Sequence, residues 1–567
     1  MSAERPRPSW ADWIPGARLL TPYDRGDLGK DAVAGLVVAL VLIPSAIAYA
    51  DLAKSTPIAG LYAAIGGMVV FALFTSSRHV ITGPDAAVAI MVGAAIGPLA
   101  GDDPGKLVAL SAWLALLVAA FLVLAAALRL GGVADLLSAP VMLGFMNGAA
   151  VVILVSQLGK FCGVSLHEEN TLLKLIEWAT RLSETHGPTL LVGLGCLAVL
   201  VALRWLAPAV PGSIVVFSAA LVAGQLVDLS ALGIRVIGPV DRSMPVPVPP
   251  ELSTADVGQL VVAALGLAML VFPEGVLLGR AMASRHGYDV RPNQELVALG
   301  LANLAAGLLR TFAVGGSQSR TLLNSGTGGR TQMVSLIAAG LVVLFVVALG
   351  PWIATLPNVA VAAILIFTAL NLIDLRDLRR LARIHRSSAR IALVTSIGVV
   401  AIGVLPGILV GVVLSLLTVL SQISRPQDAL LGRVPGSERM HDVGDDATAV
   451  TIPGLVVYRF YGPLVFANVR YFIDRLEQFI GAEKQPVRRV ILDARSIPDI
   501  DVTAADQLRA LIASLHERGI RVVIAEAHLP LREAAERLGL TEEEAPKFLA
   551  GKVSAAVAEY LAETSAP

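Results

Sequence analysis

The chain has 567 residues, 55% hydrophobic and only 16% charged, against about 25% charged in an ordinary soluble domain. Its 44 basic and 44 acidic residues cancel to a formal net charge of zero, which removes any bulk electrostatic case for nucleic-acid binding. Cys162 and Cys196 are too few for a disulfide framework and have no metal-ligand spacing, so both read as apolar thiols.

Charge gathers at the N-terminus, near residue 380 and after Ser424, and the stretches between are oily. This pattern predicts a polytopic α-helical membrane protein followed by a soluble tail. Residues 1–30 read as a Pro-punctuated basic arm holding Arg5, Arg7, Arg18, Arg25 and Lys30, without the apolar stretch of a cleavable signal peptide. Apolar runs follow at 31–51, 57–75, 107–129, 134–157, 189–207 and 212–228. A second set occupies 257–281, 294–309, 334–350, 353–372, 388–404 and 406–423. Each is near the roughly 20 residues that cross a hydrocarbon core.

Two segments break the pattern. The interrupted segments at about 84–97, entered through Thr82 to Met91 (TGPDAAVAIM), and 319–331, inside Thr311 to Gln332 (TFAVGGSQSRTLLNSGTGGRTQ), are too short or too polar to span alone. Broken polar backbone at membrane depth is tolerated only inside protein or against a wet cavity. With these two counted, fourteen segments form two sets of seven, each with its interrupted member third. An odd repeat length makes the halves inverted, the layout of carriers whose site lies at the bilayer midplane between facing half-helices. With the N-terminus inside, the inner turns hold Arg78, Arg129, Arg204, Arg280, Arg285, Arg291, Arg330 and the Arg376–Arg390 cluster. The acidic 101–106 loop, the 158–188 loop and the Pro-rich 229–255 loop fall outside, as the positive-inside rule requires. Both termini are expected in the cytoplasm, with the protein in the cell (inner) membrane.

The interrupted segments carry the candidate site. In the first, Gly83-Pro84 reads as a helix start with proline in the first turn, so the N–H groups around Pro84, Asp85, Ala86 and Ala87 face a ligand. In the second, a helix starting near Ser319 aims its N–H groups and positive dipole end at the same place, from Ser317, Gln318, Ser319, Arg320 and Thr321. Two half-helix ends supply about half a positive charge each, so a dianion stays undercompensated without Arg320. A cation at mid-membrane costs roughly 2.5–3.5 kcal/mol even on lenient insertion scales, which argues that Arg320 has a task. Asp85 has two open roles, a structural partner of Arg320 or the binder of a cation that accompanies the substrate. Glu274, inside the apolar run ALGLAMLVFPEGVLLG, is an intramembrane acid of the kind that relays a coupling proton. A purely structural, hydrogen-bonded acid is the other reading.

In the tail, 456–465 and 522–525 read as strands, RVILD (489–493) as a buried strand, and 503–516 and 531–538 as helices, a compact α/β domain.

The motifs IPSAIAYADLAKSTPIAGLYAAIGG (43–67), GPDAAVAIM (83–91), NQELVALGLANLAAGL (293–308), GGSQSRTLLNSGTGGRTQ (315–332) and DARSIPDIDVTAADQL (493–508) together resemble the sulfate permease (SulP) family of anion transporters with a C-terminal STAS domain, relatives of prestin and pendrin. The resemblance implies two inverted seven-segment repeats split into a core and a gate domain, an anion site between the third and tenth segments, and a homodimer. It implies domains at 1–30 (arm), 31–425 (transporter) and 440–567 (cytoplasmic STAS). Glu274 matches the acidic position of the family's eighth segment, although Phe272-Pro273 precedes it where relatives often have smaller or aliphatic residues. Gln318 stands where many relatives have Phe. Thr503 matches the phosphorylated serine of bacterial anti-sigma-factor antagonists, and also reads as a plain N-cap.

The expected function is secondary active transport of a small oxyanion, sulfate first, with H⁺ or Na⁺ coupling or anion exchange. A bicarbonate or C4-dicarboxylate carrier is the rival within transport, and STAS-mediated membrane signalling the rival of another class. No phosphate loop, nucleophile–base pair or metal cluster is legible, so neither an enzyme nor a cofactor is expected.

Overall fold

The computed structural model describes residues 14–16, 23–101, 103–132, 138–168, 170–207, 210–238, 254–434, 440–537, 547–549 and 552–565. Arg5, Arg7 and Arg18 of the expected arm, and residues 239–253 of the Pro-rich connection, lie outside them. The chain divides into two compact units, 1–415 and 416–567.

The first half of the membrane unit contains α1 (Leu28–Leu52), α2 (Pro57–Phe74), β1 (Thr82–Gly83), α3 (Ala86–Ala100), α4 (Pro104–Ala127), α5 (Ala139–Cys162), α6 (Thr171–Thr180), α7 (Gly187–Leu206) and α8 (Gly212–Leu226). The second half contains α9 (Thr254–His286), α10 (Pro292–Leu308), β2 (Gly315–Gly316), α11 (Gln318–Gly326), α12 (Met333–Ile353), α13 (Asn358–Leu372), α14 (Leu375–Ile384), α15 (Arg386–Ala401) and α16 (Val404–Ser424). Among the described residues, nine helical stretches are long and apolar enough to cross a membrane, and α3 and α8 are shorter apolar helices. Proline opens α2, α4, α5, α7 and α10 in their first turn, where its missing N–H costs nothing.

Two short helices were not legible in the sequence. α6 lies in the expected 158–188 loop and α14 in the arginine cluster. Both are amphipathic and bury no residue fully, so they read as polar loops when hydropathy alone is followed.

The helices sort into two groups. α1, α2, α4, α9, α10 and α12 pack together around the broken segments, whereas α5, α7, α13 and α15 pack on one another. Small residues set these approaches. A Cβ at Gly307 would stand 2.7 Å from Leu116 Cγ and 2.8 Å from the Ala112 carbonyl, so α10 lies directly against α4. Ala at this position of α10 would force the two helices apart.

The tail folds as a six-stranded sheet, ordered β4 (Met440–Asp442), β3 (Asp428–Arg433), β5 (Leu455–Phe460), β6 (Arg489–Asp493), β7 (Arg521–Ala525), β8 (Lys547–Leu549). β5 to β8 run parallel, and β3 is antiparallel to both neighbours. α17 (Val469–Ala482), α18 (Val502–Glu517) and α19 (Leu529–Arg537) cover one face, and α20 (Val553–Ser565) the other. A parallel strand covered on both faces is apolar through its centre, as Val490, Ile491 and Leu492 are, and the charged ends of RVILD are buried because Arg489 pairs with Glu563 and Asp493 with Arg459, each at 2.6 Å. β3, β4, α17, β8 and α20 were not anticipated. Their patterns are short, or broken by charges that the fold engages, such as Arg475 with Asp428 at 2.7 Å.

Candidate functional site

The two interrupted segments meet. Thr82 pairs with Gly316 and Gly83 with Gly315 in an antiparallel two-stranded ribbon that joins the halves of the membrane unit. Its cross-links are mostly reciprocal. Ser317 N donates to the Ile81 carbonyl at 2.9 Å, Ile81 N donates to Thr321 Oγ1 at 3.0 Å, and Asn324 Nδ2 donates to the His79 carbonyl at 2.8 Å. Buried backbone must find partners, and here each half satisfies the other's. α3 and α11 leave the ribbon with their N-termini at its two ends.

The local starts differ from expectation in one respect. Pro84 lies outside the helix instead of in its first turn. Asp85 is the N-cap of α3, its Oδ1 accepting from Ala87 N at 3.1 Å. Aspartate at an N-cap satisfies an orphan donor directly, which outweighs the preference for proline at the first position. α11 starts at Gln318 with Ser317 as its cap residue and stops at Gly326, short of the expected 331.

Arg320 is 2% exposed, and its Nη2 donates to the Pro84 carbonyl at 2.6 Å. The guanidinium from one half-helix therefore closes onto the chain immediately before the other. Its Nε is buried without a partner among the described residues, as is the hydroxyl of Thr82. Two unpaired donors beside two converging helix N-termini are what an anion would satisfy. Ala86, Ala87, Ser317 and Thr321 are buried, Asp85 is half-buried, and Gln318 and Ser319 are exposed. The face of α11 toward the ribbon is therefore closed, while its first turn stays open to solvent-sized space.

Glu274 is half-buried on α9, and its Oε2 is buried without a hydrogen-bond partner among the described residues. The reason α9 comes so near lies at Gly316, where a Cβ would sit 3.2 Å from Gly275 Cα. Glycine at this position lets the ribbon touch the helix backbone one residue past Glu274. Asp85, Glu274, Arg320 and Tyr49 thus form one electrostatic group. Tyr49 was missed because one aromatic in an apolar run carries no signal.

Two further residues hold the site and were visible only as oddities. Asn303 is fully buried, donating to the Val314 carbonyl at 2.9 Å and accepting from Val314 N at 3.0 Å. Gln332 Nε2 donates to the Ser77 and Val80 carbonyls at 2.9 and 3.0 Å. Each pins the chain leading into one strand of the ribbon.

Thr503 lies elsewhere, in the tail. It is exposed in the first turn of α18, but it is not the N-cap. Asp501 is, its Oδ1 accepting from Ala504 N at 2.7 Å. A carboxylate two residues earlier reaches the same donors, so the Thr503 hydroxyl is left unengaged in capping.

The fold is that of a polytopic helical membrane protein, followed along the chain by an α/β domain. The model of the sulfate permease family matches residues 28–395, and that of the STAS domain matches 446–559. The chain belongs to the sulfate permease family of anion transporters. It is 40% identical over 532 residues to "Probable sulfate transporter Rv1739c" of Mycobacterium tuberculosis, covering 94% of this chain and 95% of that one. It is 31% identical to human solute carrier family 26 member 6, covering 80% of this chain and 63% of that one. Its fold matches that of murine solute carrier 26 family member A9 in the inward-facing state, with a TM-score of 0.91 at 23% identity, covering 99% and 97% of the two chains. The transmembrane domain of a cyanobacterial bicarbonate transporter matches with a TM-score of 0.61 at 22% identity, covering 70% and 98%.

Proposed function

We propose that this anion transporter is a secondary active carrier of a small oxyanion, sulfate first, working by alternating access. The observation that carries the reading is the convergence of the α3 and α11 N-termini on a buried Arg320 whose Nε has no partner among the described residues. The 40% identity to a probable sulfate transporter over nearly the full length of both chains supports sulfate within that class. In this reading Pro84, Asp85, Ala86, Ala87 and Ser317 to Thr321 form the anion site. Arg320 supplies the charge that two half-helix dipoles lack.

Energetics require coupling. Bringing a dianion inward against −100 mV costs about 4.6 kcal/mol, which excludes uncoupled accumulation. Glu274, or Asp85 in its second role, takes up the accompanying H⁺ or Na⁺, and an exchanged anion is the other route. The protein sits in the cell membrane with both termini cytoplasmic, as a homodimer whose domains run 1–30, 31–425 and 440–567. The test is radiolabelled uptake into proteoliposomes across sulfate, bicarbonate, chloride and C4-dicarboxylates, with imposed pH or Na⁺ gradients. Concentrative sulfate uptake driven by a gradient is expected. Bicarbonate or dicarboxylate uptake without sulfate uptake would reassign the substrate. No flux of any anion, with partner capture by the tail, would favour signalling.

A further inference from the structure

A polar cavity opens at one end of the membrane unit. It has a volume of about 670 Å³ and is walled by the last turn of α1, the second half of α3, the second half of α5 and the start of α16. Among the described residues, four cationic side chains line it, Lys54, Lys160, Lys174 and Arg235, against one acidic residue, Asp51.

Its position makes this charge unusual. α1 has 25 residues, so about 37 Å separates its ends. At the first end Arg330 pairs with Asp27 at 2.7 Å, on the side of the arginine-rich turns. The cavity lies at the other end. Lysine is sparse before Ser424, with five in all, and Lys54, Lys106, Lys160 and Lys174 fall on this far side. The positive-inside rule keeps basic residues away from the outer face, so basic groups gathered around one outer cavity need another cause.

The walls connect the cavity to the site already described. Ile90, on its α3 wall, is one helical turn from Ala86. The Lys54 ammonium occupies the space that a Cβ at Gly97 would fill, so the lysine stem lies flat along α3. Lys160 of α5 forms an ion pair with Asp51 of α1, and Gln157 Nε2 reaches the same carboxylate at 3.5 Å. Because α1 and α5 belong to the two different helix groups, this pair ties one group to the other across the cavity. A half-exposed ion pair is worth only about 0–1 kcal/mol, which makes it exchangeable. Arg235 is held at Ser165 Oγ at 2.9 Å, and its exposed side chain keeps further donors available.

We infer that this cavity is an entry vestibule for the transported anion: a second, weaker binding site for a small oxyanion, in which the arriving anion competes with Asp51 for Lys160 and so loosens the tie between α1 and α5. The inference rests on the transport reading for the identity of the anion, and its test separates the two.

The measurement places a single cysteine in the cavity wall, Thr171→Cys, with Cys162 and Cys196 replaced by Ala in the full-length protein. It then compares modification by a sulfonate-bearing and a trimethylammonium-bearing thiol reagent of equal size. The anionic reagent should react roughly tenfold faster, as expected when a cleft lined by one sign of charge concentrates its counter-ion. Adding sulfate should slow it. Combining Lys160→Gln, Lys174→Gln and Arg235→Gln should erase the preference. In proteoliposomes the same triple neutralisation should raise the half-saturation for external sulfate several-fold and flatten its dependence on ionic strength. Lys160→Arg with Lys174→Arg should behave as wild type, which separates lost charge from misfolding. Equal reagent rates in the unneutralised protein overturn the vestibule, as does unchanged half-saturation in the triple variant. Absence of uptake for every anion removes the transport reading, while the thiol chemistry still decides whether the cavity gathers anions.

Discussion

At Arg320 one side chain does two jobs. Its Nη2 ties the two broken segments together at Pro84, and in the proposed site its charge faces the anion. Arg320→Ala removes both, and Arg320→Lys keeps the charge but not the planar fork. Loss of a hydrogen bond to a charged group costs about 1.5–3 kcal/mol, so Arg320→Ala should weaken sulfate binding by at least about tenfold. Equilibrium binding to the purified protein checks it, and a correctly inserted Ala variant with unchanged affinity would remove Arg320 from the site. Glu274→Gln keeps the shape of the side chain but cannot cycle a proton. Uptake driven by external acidity should fail in this variant while anion exchange survives, measured as concentrative uptake under a pH gradient. If the pH-driven uptake instead disappears in Asp85→Asn and persists in Glu274→Gln, the coupling group belongs to α3.

The ribbon and the helix beside it form the next level. β1 and β2 have only two residues each, too few to hold by themselves, and they persist because Gly316 lets them rest on α9. Gly316→Val places a branched side chain against the Gly275 backbone, which cannot retreat as a side-chain tip can. Overpacking of this kind costs about 1–3 kcal/mol. The variant should melt lower and transport more slowly, which thermal unfolding in detergent together with uptake will show. In the tail, Glu526 takes two hydrogen bonds from Arg495, at 2.6 and 2.5 Å, and one from Val553 N at 3.3 Å. The Arg495 hydrogen bonds hold the Glu526 carboxyl below its ordinary value. That contribution is present above the unfolded glutamate value near about 4.3 and is lost as pH falls through the lower folded value. Glu526→Gln should therefore destabilise the tail at neutral pH by about 0.5–1 kcal/mol. The difference from wild type should vanish in acid, as followed by chemical unfolding at several pH values.

For the whole molecule, the tail has its own sheet and its own apolar cores on both faces, whereas every residue of the proposed anion site lies in the membrane unit. Removing the residues after Arg425 should lower expression or rate and leave the order of preferred anions unchanged. A substrate panel run on the truncated and intact proteins checks this, and a changed order would place part of the pathway in the tail.

Much of this architecture was legible from residue order. Hydropathy placed the spans because a bilayer penalises every unsatisfied backbone group. The broken segments stood out for the same reason, since polar glycine-rich backbone has no place in hydrocarbon unless something covers it. Other features depend on contacts between residues far apart in the chain, and one-dimensional pattern carries no trace of them. The partner of Arg320 is a carbonyl 236 positions away. The N-cap at Asp501 was decided by which side chain reached the free N–H, ahead of Thr503, and the cap formed by Asp85 left Pro84 outside its helix. α6 and α14 stayed hidden because amphipathic helices that bury little look like loops to hydropathy. The basic cavity between α1, α3 and α5 is assembled from lysines and an arginine that are scattered along the sequence and meet only when the two helix groups pack.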